Sequence, residues 1–207
     1  MSFVVTGTDT GVGKTVFAAA LVTAIGGSYW KPIQAGLDEL SDTESVMRLA
    51  GLSADRIFPE AYRLNSPCSP HRAAELDEIA INPERLLPPA SDGPLIIEGA
   101  GGVLVPLTHS LTFADMFERW GLPVIIVART SLGTINHSLL TIEALRLRGI
   151  AIHGIAFVGD ANHDSEATIA EMGGVRRLGR LDIIESLDRS SLAAAFARGF
   201  DMRDFTS

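Results

Sequence analysis

Cysteine is almost missing from this chain. Cys68 stands alone among 207 residues, which excludes an intrachain disulfide and a cysteine-built metal cluster and fits a reducing compartment. Basic runs are missing too. With a formal net charge of −8 and no clustered Lys or Arg to displace counterions, non-specific nucleic-acid binding is a poor fit. An anionic substrate must be captured by a few local groups. No apolar stretch approaches the length of a membrane span, and the start lacks the basic and long apolar segments of an export signal. The expectation is a cytoplasmic protein that binds neither membrane nor nucleic acid. Its length suits one domain, residues 1–207, able to bury a substantial core.

What the chain does have begins at its start. Ser2 to Thr15 reads SFVVTGTDTGVGKT: an apolar run, a glycine-rich turn, then Lys-Thr opening a helix. Small residues after a strand let backbone N–H groups turn inward as a cradle, and the following helix adds free N-terminal donors and a positive dipole end. That combination is a phosphate site. Lys14 reaches the β- and γ-phosphates, and the Thr15 hydroxyl ligates the Mg²⁺ that accompanies a nucleoside triphosphate. Thr8 stands where the common P-loop has its first glycine, and Gly7 lies one residue earlier, so this loop is one residue longer.

Apolar strand-like runs then alternate with helical patterns, the signature of a mostly parallel sheet covered on both faces, an α/β P-loop NTPase-like fold. Strands are expected near Phe3–Thr6, Ser28–Lys31, Leu95–Glu98, Val124–Ala128, Ile152–Val158 and Arg177–Leu181. Helices are expected over Lys14–Ile25, Asp42–Ala50, Phe113–Trp120, Ile135–Arg148, Ser165–Met172 and Ser190–Arg198. Residues 59–89 are proline-rich and read as a long excursion carrying short helices. In such sheets ligands lie beyond the carboxyl ends of the strands, so polar residues there carry the most weight.

Lys31, followed by Pro32, puts a cation on that rim to hold a triphosphate or a carboxylated amine, with an ordinary solvated lysine as the bland alternative. Ser41-Asp42-Thr43-Glu44 precedes an apolar-periodic stretch, where helix capping and metal ligation fit equally. His71 caps a helix or touches a substrate, capping being the simpler reading. Leu95-Ile96-Ile97-Glu98 leads into Gly99-Ala100-Gly101-Gly102. Glu98 therefore sits at a strand exit beside the phosphate loop, where a carboxylate holds Mg²⁺ or its waters. The glycines allow close backbone approach or simply a tight turn. Arg129 to His137 forms a polar loop opening a long helix, a second anion site suited to a carboxylate.

GTDTGVGKT, WKPIQAG, SDTE, CSPHRAA, IEGAGG, FADM and LGTINHSLLTIEAL occur in this order over residues 3–160, and as an ordered set they resemble the dethiobiotin synthetase family. The resemblance implies a homodimer that uses ATP, Mg²⁺, CO₂ or bicarbonate and 7,8-diaminononanoate to close a ureido ring through a carbamate and a carbamic-phosphoric anhydride. It implies catalytic roles for Lys31, Lys14 and Thr10 and a metal site of Thr15, Asp42 and Glu98. Nucleotide contacts fall on Thr10, Gly11, Val12, Gly13, Lys14, Thr15, Val158, Gly179 and Leu181. Substrate contacts fall on Lys31, Ala35, Glu98, Gly101 and Gly102, and on Leu132, Gly133, Thr134 and Asn136 of a loop that the family contributes from the partner subunit.

Two departures stand out. The family's usual glutamate and serine are replaced by Gly11 and Ala35. At the base-binding end the family's asparagine aligns near Val158, and its Gly-x-Ile-Pro turn reads Gly179-Arg180-Leu181-Asp182. Weaker discrimination among nucleoside triphosphates follows as an expectation, unless Asp160 or Asn162 substitutes. The rival from another class is a regulatory P-loop ATPase switch of the partitioning type, whose signature lysine is replaced here by Asp9. An amidotransferase relative needs a nucleophilic cysteine, and Cys68 lies in a proline-rich loop, poorly placed for that role.

Overall fold

The computed structural model describes residues 1–206. In chain order its elements are β1 (Phe3–Gly7), α1 (Lys14–Ala24), β2 (Ser28–Trp30), β3 (Ile33–Ala35), α2 (Asp42–Ala50), β4 (Ile57–Phe58), β5 (Tyr62–Leu64), α3 (Pro70–Leu76), β6 (Leu95–Gly102), α4 (Phe113–Trp120), β7 (Val124–Arg129), α5 (Thr134–Arg146), β8 (Ile152–Val158), α6 (His163–Gly173), β9 (Arg177–Leu181) and α7 (Arg189–Gly199). Among the described residues, seven parallel strands form one sheet in the order β4-β2-β6-β1-β7-β8-β9.

The central strands are largely apolar because both faces are covered. Val4, Ile97, Ile126 and Phe157 point into one core with Phe117 of α4 and Leu145 of α5. Their strand neighbours Phe3, Val5, Ile96 and Val127 point into the other, with Phe17 of α1, Val46 of α2 and Phe196 of α7. The two-residue period of a strand thus sorts one run of apolar residues into two cores. β1 lies centrally between β6 and β7, so the loop leaving its carboxyl end has the polar ends of several strands around it.

Three sequence expectations need correction. β6 does not stop at Glu98: it continues through the glycines to Gly102, which pairs with Gly7 across an irregularity in register. Small residues lie flat enough to stay paired beside the phosphate loop, so Glu98 sits within a strand and is fully buried. β2 ends at Trp30, leaving Lys31 just beyond it. The excursion carries more than helices, since β5 pairs in parallel with β3 as a separate two-stranded sheet.

Candidate functional site

The loop from Gly7 to Lys14 is shaped by its backbone needs. Gly11 and Gly13 have φ of 71° and 95°, the left-handed region that favours glycine. A Cβ on Gly7 would lie 2.7 Å from Asp9 O and 2.8 Å from Lys14 Nζ, so only glycine fits there. Asp9 Oδ1 accepts from Thr10 N at 2.7 Å, and Lys14 Nζ donates to Asp9 O at 3.0 Å. Gly13 precedes α1 without a side-chain cap among the described residues, leaving the helix N-terminus open to an anion.

Behind this loop three oxygens converge. Thr15 Oγ1 lies 2.8 Å from Asp42 Oδ1 and 2.9 Å from Glu98 Oε1. One hydroxyl proton serves only one carboxylate at a time, and two acids flanking a hydroxyl form the hard-oxygen donor set that suits Mg²⁺ alongside nucleotide phosphates. Asp42 is free for this because Ser41 caps α2: Ser41 Oγ accepts from Glu44 N at 3.2 Å while Ser41 N donates to Glu44 Oε2 at 2.8 Å. The structure therefore separates the two readings of SDTE, with capping on Ser41 and Glu44. Gln34 adds a brace, its Oε1 accepting from Asp42 N at 3.2 Å and its Nε2 donating to Gly36 O at 3.1 Å.

Lys31 closes the group from the other side. Its Nζ lies 2.6 Å from Asp42 Oδ2 and 3.5 Å from Glu98 Oε1, and it donates to Gly99 O at 3.3 Å. The residue is 2% exposed, so the solvated-lysine alternative does not describe it. Burial works against its charge, yet Glu98 and Asp42 hold its pKa above the ordinary lysine value. Burial lowers the Lys14 pKa, with Glu98 pulling it back up and Lys31 adding repulsion. Burial also pushes Glu98 up. On Asp42 the same push is outweighed by the Lys31 charge and hydrogen bond, and its pKa falls. Lys14 and Lys31 are the only lysines in the chain.

These groups open on a cleft of about 590 Å³ whose lining includes Thr10, Gly11, Gly13, Lys14, Thr15, Lys31, Ala35, Asp42, Glu98 and Gly101, with Cys68 and Pro70 on another wall. The remaining sequence-predicted residues lie outside that lining. Val12 is 2% exposed and turned into the core. Gly102 adjoins the phosphate loop, where a Cβ would meet Gly7 O and Thr8 O at 3.6 Å. Val158 packs against Gly13, a Cβ there lying 2.8 Å from Val158 Cγ1, and is paired in register with the buried Leu181. Gly179 meets the backbone of Gly199 too closely for any side chain.

Leu132, Gly133, Thr134 and Asn136 form the separate start of α5, which no side chain caps among the described residues. The Thr134 hydroxyl donates to Arg129 O. Asn162 has both ends of its amide engaged, accepting from Ser165 N at 3.2 Å and donating to Thr130 O at 3.1 Å. His71 is not at the cleft; it lies inside α3, whose N-cap is Ser69, with its ring edge-on to His109. Sequence reasoning missed Tyr29 and Gln34. Nothing in the sequence marked the first, because the pairing of its strand with that of Glu98 appears only in the fold.

A family model described as an AAA domain matches residues 1–191. The ATP-dependent dethiobiotin synthetase BioD of Novosphingobium aromaticivorans is 63% identical over 204 residues, covering 99% of this chain and 98% of that protein. That of Agrobacterium fabrum is 57% identical over 205 residues, covering 99% and 97%. Among solved structures, the cell division ATPase MinD of Pyrococcus furiosus superposes with a TM-score of 0.54 at 12% identity over 95% of this chain and 98% of its own. A ParA family ATPase from Chlorobium tepidum gives 0.51 at 16% identity over 94% and 90%. These two likenesses are of fold.

Proposed function

The chain belongs to the dethiobiotin synthetase family, ATP-dependent ligases that form C–N bonds in biotin biosynthesis, and on that premise we propose the chemistry its cleft performs. One amine of 7,8-diaminononanoate adds to CO₂ and loses a proton, giving a carbamate. A carbamate oxygen attacks the γ-phosphorus of ATP, the bond to the β,γ-bridging oxygen breaks, and ADP leaves. The neighbouring amine then attacks the carbonyl carbon of the carbamic-phosphoric anhydride, forming the second C–N bond, expelling inorganic phosphate and losing a proton as the ureido ring closes.

The carbamate and the triphosphate that must meet are both anionic, and the residues answer that need. Lys14 and Lys31 supply positive charge on either side of the transferring phosphoryl group, as electrostatic stabilisation of such transfer requires. Thr10 and the amides around Gly11 and Gly13 hold the γ-phosphate and carbamate together, and binding both amines in one cleft makes ring closure intramolecular. Thr15, Asp42 and Glu98 would hold Mg²⁺, which when bound neutralises charge on the phosphates. The observation that carries this reading is the convergence of Thr15, Asp42, Glu98 and both lysines, spread from position 14 to position 98 of the chain, on one cleft.

In the same reading residues 1–207 act as one P-loop domain in a cytoplasmic homodimer, and the uncapped start of α5 takes the substrate's distal carboxylate in the partner's cleft. Among the described residues no helix is long and apolar enough to cross a membrane. Labelled bicarbonate, ATP, Mg²⁺ and 7,8-diaminononanoate test the proposal together: an acid-stable labelled product with ADP formed in equal amount is expected. Absence of that product with ATP intact would reject it.

A further inference from the structure

Tyr29 is fully buried, and its phenol donates to Glu98 Oε2 at 2.9 Å. β2 and β6 run parallel with Tyr29 opposite Ile96, so Glu98 lies one pleat further along. Tyr29, Ile96 and Phe17 share one core, while Trp30 and Ile97 belong to the other. The two-residue strand period therefore puts Tyr29, Lys31, Ile96 and Glu98 on the face that α1 covers with Lys14 and Thr15. The two oxygens of Glu98 have separate tasks: Oε1 faces Thr15 Oγ1 at 2.9 Å and Lys31 Nζ at 3.5 Å, and Oε2 faces the phenol.

A carboxylate with one oxygen fastened loses the freedom to rotate about its last torsion, which is broad in the absence of a partner. We propose that Tyr29 is a positioning residue that fastens Glu98 Oε2 and thereby aims Oε1 at the metal side of the cleft. This rests on the reading of Thr15, Asp42 and Glu98 as the Mg²⁺ site. Outer groups of this kind orient metal ligands, and their removal costs about 10- to 100-fold in metal affinity or activity. Packing alone would not need the hydroxyl, since phenylalanine fills the same apolar surroundings.

The test compares Tyr29→Phe with wild type by calorimetric titration of ADP, once with Mg²⁺ and once with EDTA. Wild type should bind ADP more tightly with Mg²⁺; in Tyr29→Phe that enhancement should fall about tenfold or more, while affinity in EDTA should change little. Equal weakening under both conditions would mark a structural role and overturn the proposal, as would an unchanged enhancement. Glu98→Gln separates this from the underlying reading. If neither wild type nor Glu98→Gln responds to Mg²⁺, the metal assignment itself fails; if those two differ and Tyr29→Phe matches wild type, only the Tyr29 proposal fails. A Tyr62→Phe background leaves Tyr29 the sole tyrosine and covers the case of a misfolded Phe variant. Adding Mg²⁺ to its ADP complex should shift the tyrosine absorbance, and no shift would overturn the proposal.

Discussion

Lys31 Nζ lies 2.6 Å from Asp42 Oδ2, the lysine side chain 3% and the aspartate 36% exposed. The pair is more than a rim contact, because Lys31 is also the cation nearest the buried Glu98. Removing it leaves two carboxylates facing one another with Lys14 as the remaining nearby cation. Lys31→Ala should therefore lose nearly all turnover and also lose about 3 kcal/mol of stability in EDTA, the usual cost of stripping one partner from a buried pair. Mg²⁺ should restore part of that stability. Urea unfolding with and without Mg²⁺ checks this, and a variant as stable and active as wild type would return Lys31 to a passive place.

Outside the cleft lining, Glu166 is 1% exposed and accepts from Arg177 Nε and Nη2 at 2.8 and 2.6 Å and from Arg180 Nη1 at 2.8 Å. Burial alone would raise its pKa, but the hydrogen bonds from Arg180 and Arg177 outweigh it and hold the group below its ordinary 4.5. A carboxyl depressed on folding adds stability that is fully present above the unfolded value and disappears as pH falls through the folded one. Glu166→Gln should thus cost about 2 kcal/mol near neutral pH, with the gap to wild type closing below pH 4.5. Urea titrations across that range decide it; a gap that stays constant with pH would remove the ionic explanation.

The start of α5 offers a different kind of test. Leu132 is fully exposed and lies beside an uncapped helix N-terminus outside the chain's own cleft. If that terminus receives a substrate carboxylate in a partner's cleft, Leu132→Asp places a competing negative charge beside it. The KM for 7,8-diaminononanoate should rise about tenfold, equivalent to about 1.4 kcal/mol, with the KM for ATP little changed. Sedimentation at assay concentrations should give a dimer. A fully active monomer would reject the shared site.

Much of this molecule is legible in its sequence, for a physical reason. Apolar runs such as residues 124–128 are buried on both faces, so their composition announces strands, and a lone polar residue after or within such a run, Lys31 or Glu98, stands out against them. Lysine is scarce as well: Lys14 and Lys31 are the only two, and the structure brings both to the cleft. Other features had no such mark. Three-residue strands such as Ile33–Ala35 and Tyr62–Leu64 are too short to display a period. Tyr29 reads as an ordinary core aromatic until its hydroxyl is seen on Glu98. Ser41 and Asp42 are adjacent possible caps, and only the hydrogen bonds to Glu44 tell them apart.

The segment proposed to face the nucleotide base gives the last prediction. A site that pairs with a base's donor and acceptor edge can reject the wrong base by about 10⁴ or more, whereas an apolar wall discriminates by about 10- to 200-fold. Here Val158 packs on Gly13 and lies in register with Leu181, two apolar side chains with nothing to offer a base edge. The nearby amide of Asn162 is held in place by bonds at both ends, its oxygen accepting from Ser165 N and its nitrogen donating to Thr130 O, which ties it to its own loop. Asp160 is exposed and, ionised, only accepts. We therefore expect kcat/KM for CTP and GTP within about 100-fold of that for ATP. Val158→Asn should widen the gap in favour of ATP without altering the KM for 7,8-diaminononanoate. Initial rates with the three nucleotides in both proteins measure this, and a wild-type preference for ATP of about 10⁴ would mean that some other group reads the base.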